Sequence, residues 1–267
     1  MGHIDAHFGS ARTARHLGWE GCFNVRDLGG IPVTGGGVIR WGAAVRSDNP
    51  ERLTAVGWSA LVAHGVQTVI DLRNPDERHG DLCPRPDILT TVHVPLDDVE
   101  DEGLWTYLRD NELDGSPLYY RVFLERKARQ CAAAVAAVAR ARAGGVLFHC
   151  GLGRDRTGLI AMLLLALAGV SADDIATDYE LSAPRLPSLF AALGIDDQTE
   201  EIREILARKN TTARSAMIGA LDGLDVEAHL RTAGLDARDV QAIRERFSAS
   251  ANESGGAPGG ARGIGGR

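Results

Sequence analysis

A chain of 267 residues can form one large domain or two small ones, and 44% hydrophobic with 24% charged residues is the composition of an ordinary soluble globular protein. A net charge of -7 argues against a nucleic-acid partner, which needs a basic face, but leaves room for a local anion pocket. Lys127 and Lys209 are the only lysines, so arginine carries nearly all the positive charge.

Cys22, Cys83, Cys131 and Cys150 have no zinc-ligand spacing and do not suggest a disulfide framework. A reducing compartment fits them best, so a cytoplasmic location is expected, with export lacking a signal peptide left open. The N-terminus has no basic stretch followed by an apolar core. The longest apolar run, residues 159–168, is too short to span a bilayer, so no integral membrane segment is expected. Oligomeric state is not legible.

In chain order, residues 1–20 read as a weakly patterned arm in which His3 and His7 belong to a polar terminus. Residues 23–33 and 38–45 predict short strands around the glycine turn at Gly35, Gly36 and Gly37. Residues 54–64 predict a helix with Thr54 as its cap. Strands are expected at 66–72 and 89–94, then one long alanine-rich helix over 116–142, ended by Gly144 and Gly145. Residues 146–148 predict a short central strand, and 157–168, apolar almost all round, a core helix. The remainder to about residue 247 reads as helices broken near Pro184, Pro187, Gly194, Gly223 and Gly234. The glycine- and alanine-rich residues 249–267 are expected to be disordered. The order implies one α/β domain over residues 21–248, with a helical C-terminal extension.

Residues 145–158 read GVLFHCGLGRDRTG. Five residues separate Cys150 from Arg156, an apolar strand leads in and an apolar helix leads out. This is a strand–loop–helix anion cradle: successive backbone N–H groups converge on phosphate oxygens, and the helix N-terminus adds its positive end. Gly151 and Gly153 permit the close approach, with Leu152 and Arg154 completing the loop. Such surroundings favour a cysteine thiolate as nucleophile at Cys150. Arg156 is suited to fork two phosphate oxygens, and Thr157 to donate its hydroxyl to the sulfur. The loop lacks the Gly-Lys-Ser/Thr ending of a nucleotide-binding loop. Neither a metal nor a cofactor is implied.

Residues 149–158 closely resemble the HCxxGKDRTG signature of the bacterial tyrosine/serine phosphatase family. Asn24-Val25-Arg26-Asp27-Leu28-Gly29-Gly30 is similar to that family's N-F-R-D-L-G-G, and Arg46-Ser47 and Asp71-Leu72-Arg73 with Glu77 are further matches. Val25 stands for the usual Phe and Arg154 for the usual Lys. The resemblance covers roughly residues 20–247. It implies a cysteine-phosphatase-like fold, with a mostly parallel central sheet flanked by helices. It also implies hydrolysis of phosphotyrosine, with phosphoserine, phosphothreonine and phosphoinositides as further candidates, through a phosphocysteine on Cys150. The substrate is then a phosphorylated protein or a phosphoinositide. Arg46 and Asp71 are expected at the substrate. Residues 183–194 read equally well as a helical lid or an ordinary core helix.

Releasing the alcohol requires a proton donor. Asp155, inside the loop, ranks first, because in similar loops of myotubularin-type lipid phosphatases the aspartate there is the proposed acid. Asp71, at a strand end, ranks second, and Asp97 or Asp98 third. Sulfur transfer, arsenate reduction and a catalytically dead phospho-binding module are the rival functions.

Overall fold

The computed structural model describes residues 15–97 and 100–249, so His3, His7, Asp98 and residues 250–267 lie outside the described residues. Five strands form one sheet in the order β1-β2-β5-β3-β4. They are β1 (Arg26–Asp27), β2 (Ala44–Ser47), β3 (Val66–Asp71), β4 (Thr90–His93) and β5 (Gly145–His149). β1 runs antiparallel to β2 and every other pairing is parallel, with Phe148 of β5 level with Arg46 of β2 and Ile70 of β3.

Alternation along the strands separates two cores. Val45, Val69 and Leu147 face Trp58 and Leu61 of α1 (Ala55–Ala63). Ala44, Ile70, Val146 and Phe148 face the other way, toward α4 (Ala128–Ala139) and α5 (Asp155–Leu167). Helix α5 is buried over most of its length, which is why its sequence is apolar all round. The remaining helices are α2 (Glu102–Asp110), α3 (Tyr120–Arg126), α6 (Ala172–Glu180), α7 (Leu186–Leu193), α8 (Thr199–Arg208), α9 (Ala213–Leu221), α10 (Val226–Thr232) and α11 (Ala237–Phe247). Leu230, Val240, Ile243 and Phe247 bury the last two helices in the core behind α5.

Thr54 caps α1 as expected, its hydroxyl accepting from the Gly57 N–H at 3.2 Å. Three expectations change. Residues 23–33 do not form one strand: the Asp27 carboxylate takes the N–H groups of Gly29 and Gly42, at 2.7 and 2.8 Å, and turns the chain after two residues of ladder. The long helix of 116–142 is broken at Lys127, which leaves helical geometry (φ -119°, ψ 29°) and points its ammonium at Asp101, 2.8 Å away. The break lets Tyr120 and Phe123 on one side, and Cys131 and Val135 on the other, all reach the core. Residues 15–20, expected within an arm, are built into the fold through buried Arg15 and Trp19. Among the described residues, no helix is long and apolar enough to cross a membrane.

Candidate active site

The parallel strands end along one edge of the sheet, and the segments that leave them there bring the chemistry together. β5 delivers Cys150, β3 leads to Arg73 and Glu77, β4 leads to Asp97, and β2 ends at Ser47. Cys150 is buried, and α5 begins at Asp155.

The loop is held by its carbonyls. The Asn49 N–H donates to the Gly151 carbonyl at 3.1 Å, the Asn24 side-chain amide to Leu152 at 3.0 Å, and the Arg46 guanidinium to Gly153 at 2.9 Å. The Gly158 N–H takes the Arg154 carbonyl at 2.9 Å, and the Tyr120 hydroxyl donates to that of Asp155, also at 2.9 Å. In a trans peptide plane, each N–H points opposite to its carbonyl. Pinning these oxygens outward therefore turns the N–H groups of Leu152, Gly153 and Arg154 inward, where no protein acceptor meets them among the described residues. Converging N–H groups at the start of a helix form an anion site.

Gly153 is required for this shape. Its φ of +67° disfavours a side chain, and a Cβ there would lie 2.6 Å from backbone atoms of Ser47 and Asp48. The loop thus rests directly on the end of β2.

Beneath it, Asp178 of α6 gathers three buried guanidinium groups: Arg15 at 2.6 Å, Arg26 at 3.1 Å and Arg46 at 2.7 Å. Burial alone would raise the Asp178 carboxyl, but the three arginines hold it far below the usual carboxylate range. Arg26 also binds Asn24, at 3.0 Å, so the N-terminal motif and β2 reach the loop as one braced unit. Arg46, expected at the substrate, is buried, with its terminal nitrogens on Asp178 and the Gly153 carbonyl and its Nε without a protein partner among the described residues.

Arg156 emerges from the first turn of α5 and meets two carboxylates. Glu77 binds its two terminal nitrogens at 2.5 and 2.6 Å, and Asp97 lies 3.0 Å from one of them. The Nε edge is touched by neither. Burial works against the Arg156 charge, but Glu77, Cys150 and Asp97 more than offset it and hold the guanidinium protonated. Glu77 resists burial by the same contact, and its carboxyl is lowered. Asp97 differs. Burial raises its carboxyl to about 6; Arg156 opposes this, while Glu77 and Asp155 add to it.

The other expected residues divide clearly. Asp155 is bound through both oxygens by the neighbouring Arg154, at 2.9 and 3.1 Å. Arg154 turns away from the loop centre to this carboxylate and to Gln198, 3.3 Å away. Asp71 is not free to meet substrate: Arg73 binds both its oxygens at 2.9 and 2.8 Å and, against the effect of burial, lowers its carboxyl to about 2. Arg73 itself bridges to Glu51 at 2.6 Å. Thr157 is buried and its hydroxyl has no protein partner, which leaves it available to a group bound in the loop. Buried His149, lowered to about 4 chiefly by desolvation, presents Nδ1 to the Cys150 carbonyl at 3.2 Å. Leu152 packs with Phe23 against Leu186, Leu189 and Phe190 around α7, so the segment 183–194 lies against the loop.

Sequence reasoning attached no function to Glu77, Asp178 or Glu51. Glu77 carried a signal, its position after Asp71-Leu72-Arg73; Asp178 and Glu51 carried none, because each is defined only by arginines distant in sequence. Among the described residues no group of three His, Cys, Asp or Glu side chains is placed to hold a metal ion.

Comparison with known proteins places the chain among relatives. The chain is 34% identical over 179 residues to a protein of Cupriavidus necator that carries a tyrosine-protein phosphatase name, a match covering 64% of each chain. It is 37% identical over 143 residues to a tyrosine-protein phosphatase of Nostoc commune, covering 53% of this chain and 48% of the relative. It is 28% identical over 206 residues to the triple specificity protein phosphatase PtpB of Mycobacterium tuberculosis, covering 65% of this chain and 71% of that one. The first two matches thus span less than two thirds of the relatives' own lengths. Residues 17–249 match the profile described as the tyrosine phosphatase family, and the chain belongs to that family.

Proposed function

We propose that this protein hydrolyses phosphotyrosine monoesters by a covalent route on Cys150. The observation that carries the reading is the pinning of the loop carbonyls, which aims three N–H groups at the place where a phosphate above Cys150 would sit. In the first step the Cys150 thiolate attacks phosphorus, a P–S bond forms, and the P–O bond to the alcohol breaks as a carboxylic acid gives that oxygen its proton. In the second, water attacks phosphorus, the same carboxylate takes its proton, and the P–S bond breaks to return the thiolate and release phosphate. Arg156 follows the charge on the equatorial oxygens through its Nε edge. Thr157 donates to the departing sulfur.

The proton donor in this reading is Asp97 rather than Asp155. Asp155 is clasped through both oxygens by Arg154, which leaves neither oxygen unengaged. Asp97 stands at Arg156 and has a carboxyl raised to about 6, so it holds a proton at mildly acidic pH. Phosphoserine, phosphothreonine and phosphoinositides extend the expected substrate range; the mycobacterial relative is by name a triple specificity protein phosphatase.

The test is turnover of p-nitrophenyl phosphate by the wild type and by Cys150→Ser, with vanadate binding measured in parallel. Turnover lost with binding kept supports the covalent phosphatase. A turnover that survives the substitution, or a wild type that binds phosphate without turning over, replaces it with a non-covalent route or a binding module.

A further inference from the structure

A cavity of about 580 Å3 adjoins the loop at Arg154, and the surface it exposes is mostly apolar although polar residues such as Glu180, Arg203 and Thr212 share the lining. Arg154 is the loop's contribution to its lining; Tyr179, Leu186, Ile202, Leu206 and Ala207 form much of the rest. Helix α8 buries only Leu206, and Ala207 is exposed, so the helix roofs the space without filling it. Ile202 and Arg154 meet over Gly115: a Cβ added to that glycine would lie 3.2 Å from Ile202 Cδ1 and 3.5 Å from Arg154 Nη2. The volume falls within the range of ordinary ligand pockets, about 300–1,000 Å3, and exceeds what one small side chain fills.

Nothing in the bond-making chemistry uses this space, yet it is continuous with the phosphate loop through one residue. We infer that the cavity is a specificity subsite that takes a bulky apolar side chain of a phosphorylated protein, close in sequence to the phosphorylated residue. The inference rests on the phosphatase reading above. A peptide chain leaving the loop on the Arg154 side would pass its mouth. Arg154 would then stand between the two, its head held by Asp155 and Gln198 and its side chain part of the cavity lining.

A lipid tail fits the surroundings less well. The large apolar side chains exposed among the described residues are Val56, Leu82, Ile88, Tyr107 and Ile195, and none of them lines this cavity. The mouth therefore lacks an apolar collar to sit in a bilayer. A chain of net charge -7 also gains nothing from an anionic membrane surface.

The experiment measures kcat/KM for phosphotyrosine peptides identical except at one flanking position, which carries Phe, Leu or Gly in turn. p-Nitrophenyl phosphate and phosphoinositide vesicles serve as controls. The wild type is expected to prefer the Phe or Leu peptide over the Gly peptide by about tenfold or more at one flanking position. Ala207→Trp, which fills the mouth, and Ile202→Asp, which charges its wall, should bring that ratio close to one. Both positions are at least partly exposed, so the folded state has room for either change, and each variant tests the ratio alone. A wild-type ratio near one at every flanking position overturns the subsite. So does a preference that survives in the variants, or a vesicle substrate that outruns every peptide and loses its advantage in them. If the wild type leaves p-nitrophenyl phosphate untouched, the phosphatase reading fails and the subsite falls with it. If it cleaves that ester but ignores the flanking residue, only the subsite fails.

Discussion

Glu77 grips Arg156 through both terminal nitrogens, at 2.5 and 2.6 Å, and thereby fixes which edge of the guanidinium faces the loop. A carboxylate fork of this kind restrains a planar group in two directions at once. A phosphate arriving over Cys150 then meets an Nε edge already in place. Glu77→Gln keeps the size of the side chain but loses the charge and half of the fork. We expect kcat/KM on an aryl phosphate to fall roughly 10- to 100-fold, mostly in kcat, because the lost alignment matters most in the transition state. Steady-state kinetics check this. A gain in kcat/KM together with tighter vanadate binding would mean instead that Glu77 competes with phosphate for Arg156.

Asp178 should be the stability keystone of the same edge. Among the described residues it is the one carboxylate that meets Arg15, Arg26 and Arg46 in a buried cluster, so Asp178→Asn takes that partner from three guanidinium groups. Breaking a buried pair from one side costs about 3–5 kcal/mol, so a Tm lower by roughly 10 °C is expected. The pH dependence follows from the sign of the shift. The folded carboxyl is depressed, so its contribution is complete above the unfolded value of about 3.9 and is lost as pH falls below it. Wild type and variant should therefore differ most above pH of about 5 and converge in strong acid. Thermal melts at several pH values measure the gap; a gap that stays constant into strong acid would show that Asp178 acts through packing.

Much of this edge was legible in the sequence because it depends on neighbours in the chain. An apolar strand, Cys150, two glycines, Arg156 and an apolar helix already imply a loop of N–H groups at a helix start. The end of β3 at Asp71 and the cap at Thr54 follow from local patterning in the same way. What was not legible depends on pairs far apart in the chain. Arg46 looked like a ligand for phosphate because its partner, Asp178, lies 132 residues away. Asp71 looked like an acid, but Arg73, itself held by Glu51, binds both its oxygens. The break at Lys127 was hidden because alanine-rich sequence on both sides favours helix, and only the pull of Asp101 and the two-sided core explain it.

The ranking of the acids turns on burial, which no local pattern reports. Asp97 and Asp155 both stand near Arg156, but Asp155 is clasped by Arg154 while Asp97 is half-buried and raised to about 6 by desolvation. A donor must hold its proton, so the reaction should need Asp97 protonated and kcat should fall as pH rises through about 6. In Asp97→Asn that basic limb should flatten. The loss in kcat should reach roughly 100-fold or more for an alkyl phosphate or phosphotyrosine, whose leaving oxygen needs a proton. It should be much smaller for a strongly acidic phenol. Asp155→Asn should instead slow all leaving groups by a similar factor, because it frees Arg154 and loosens the loop without removing the donor. Plotting log kcat against leaving-group pKa for the wild type and both variants decides the matter: a steeper dependence in Asp155→Asn, with Asp97→Asn parallel to wild type, would return the role to Asp155.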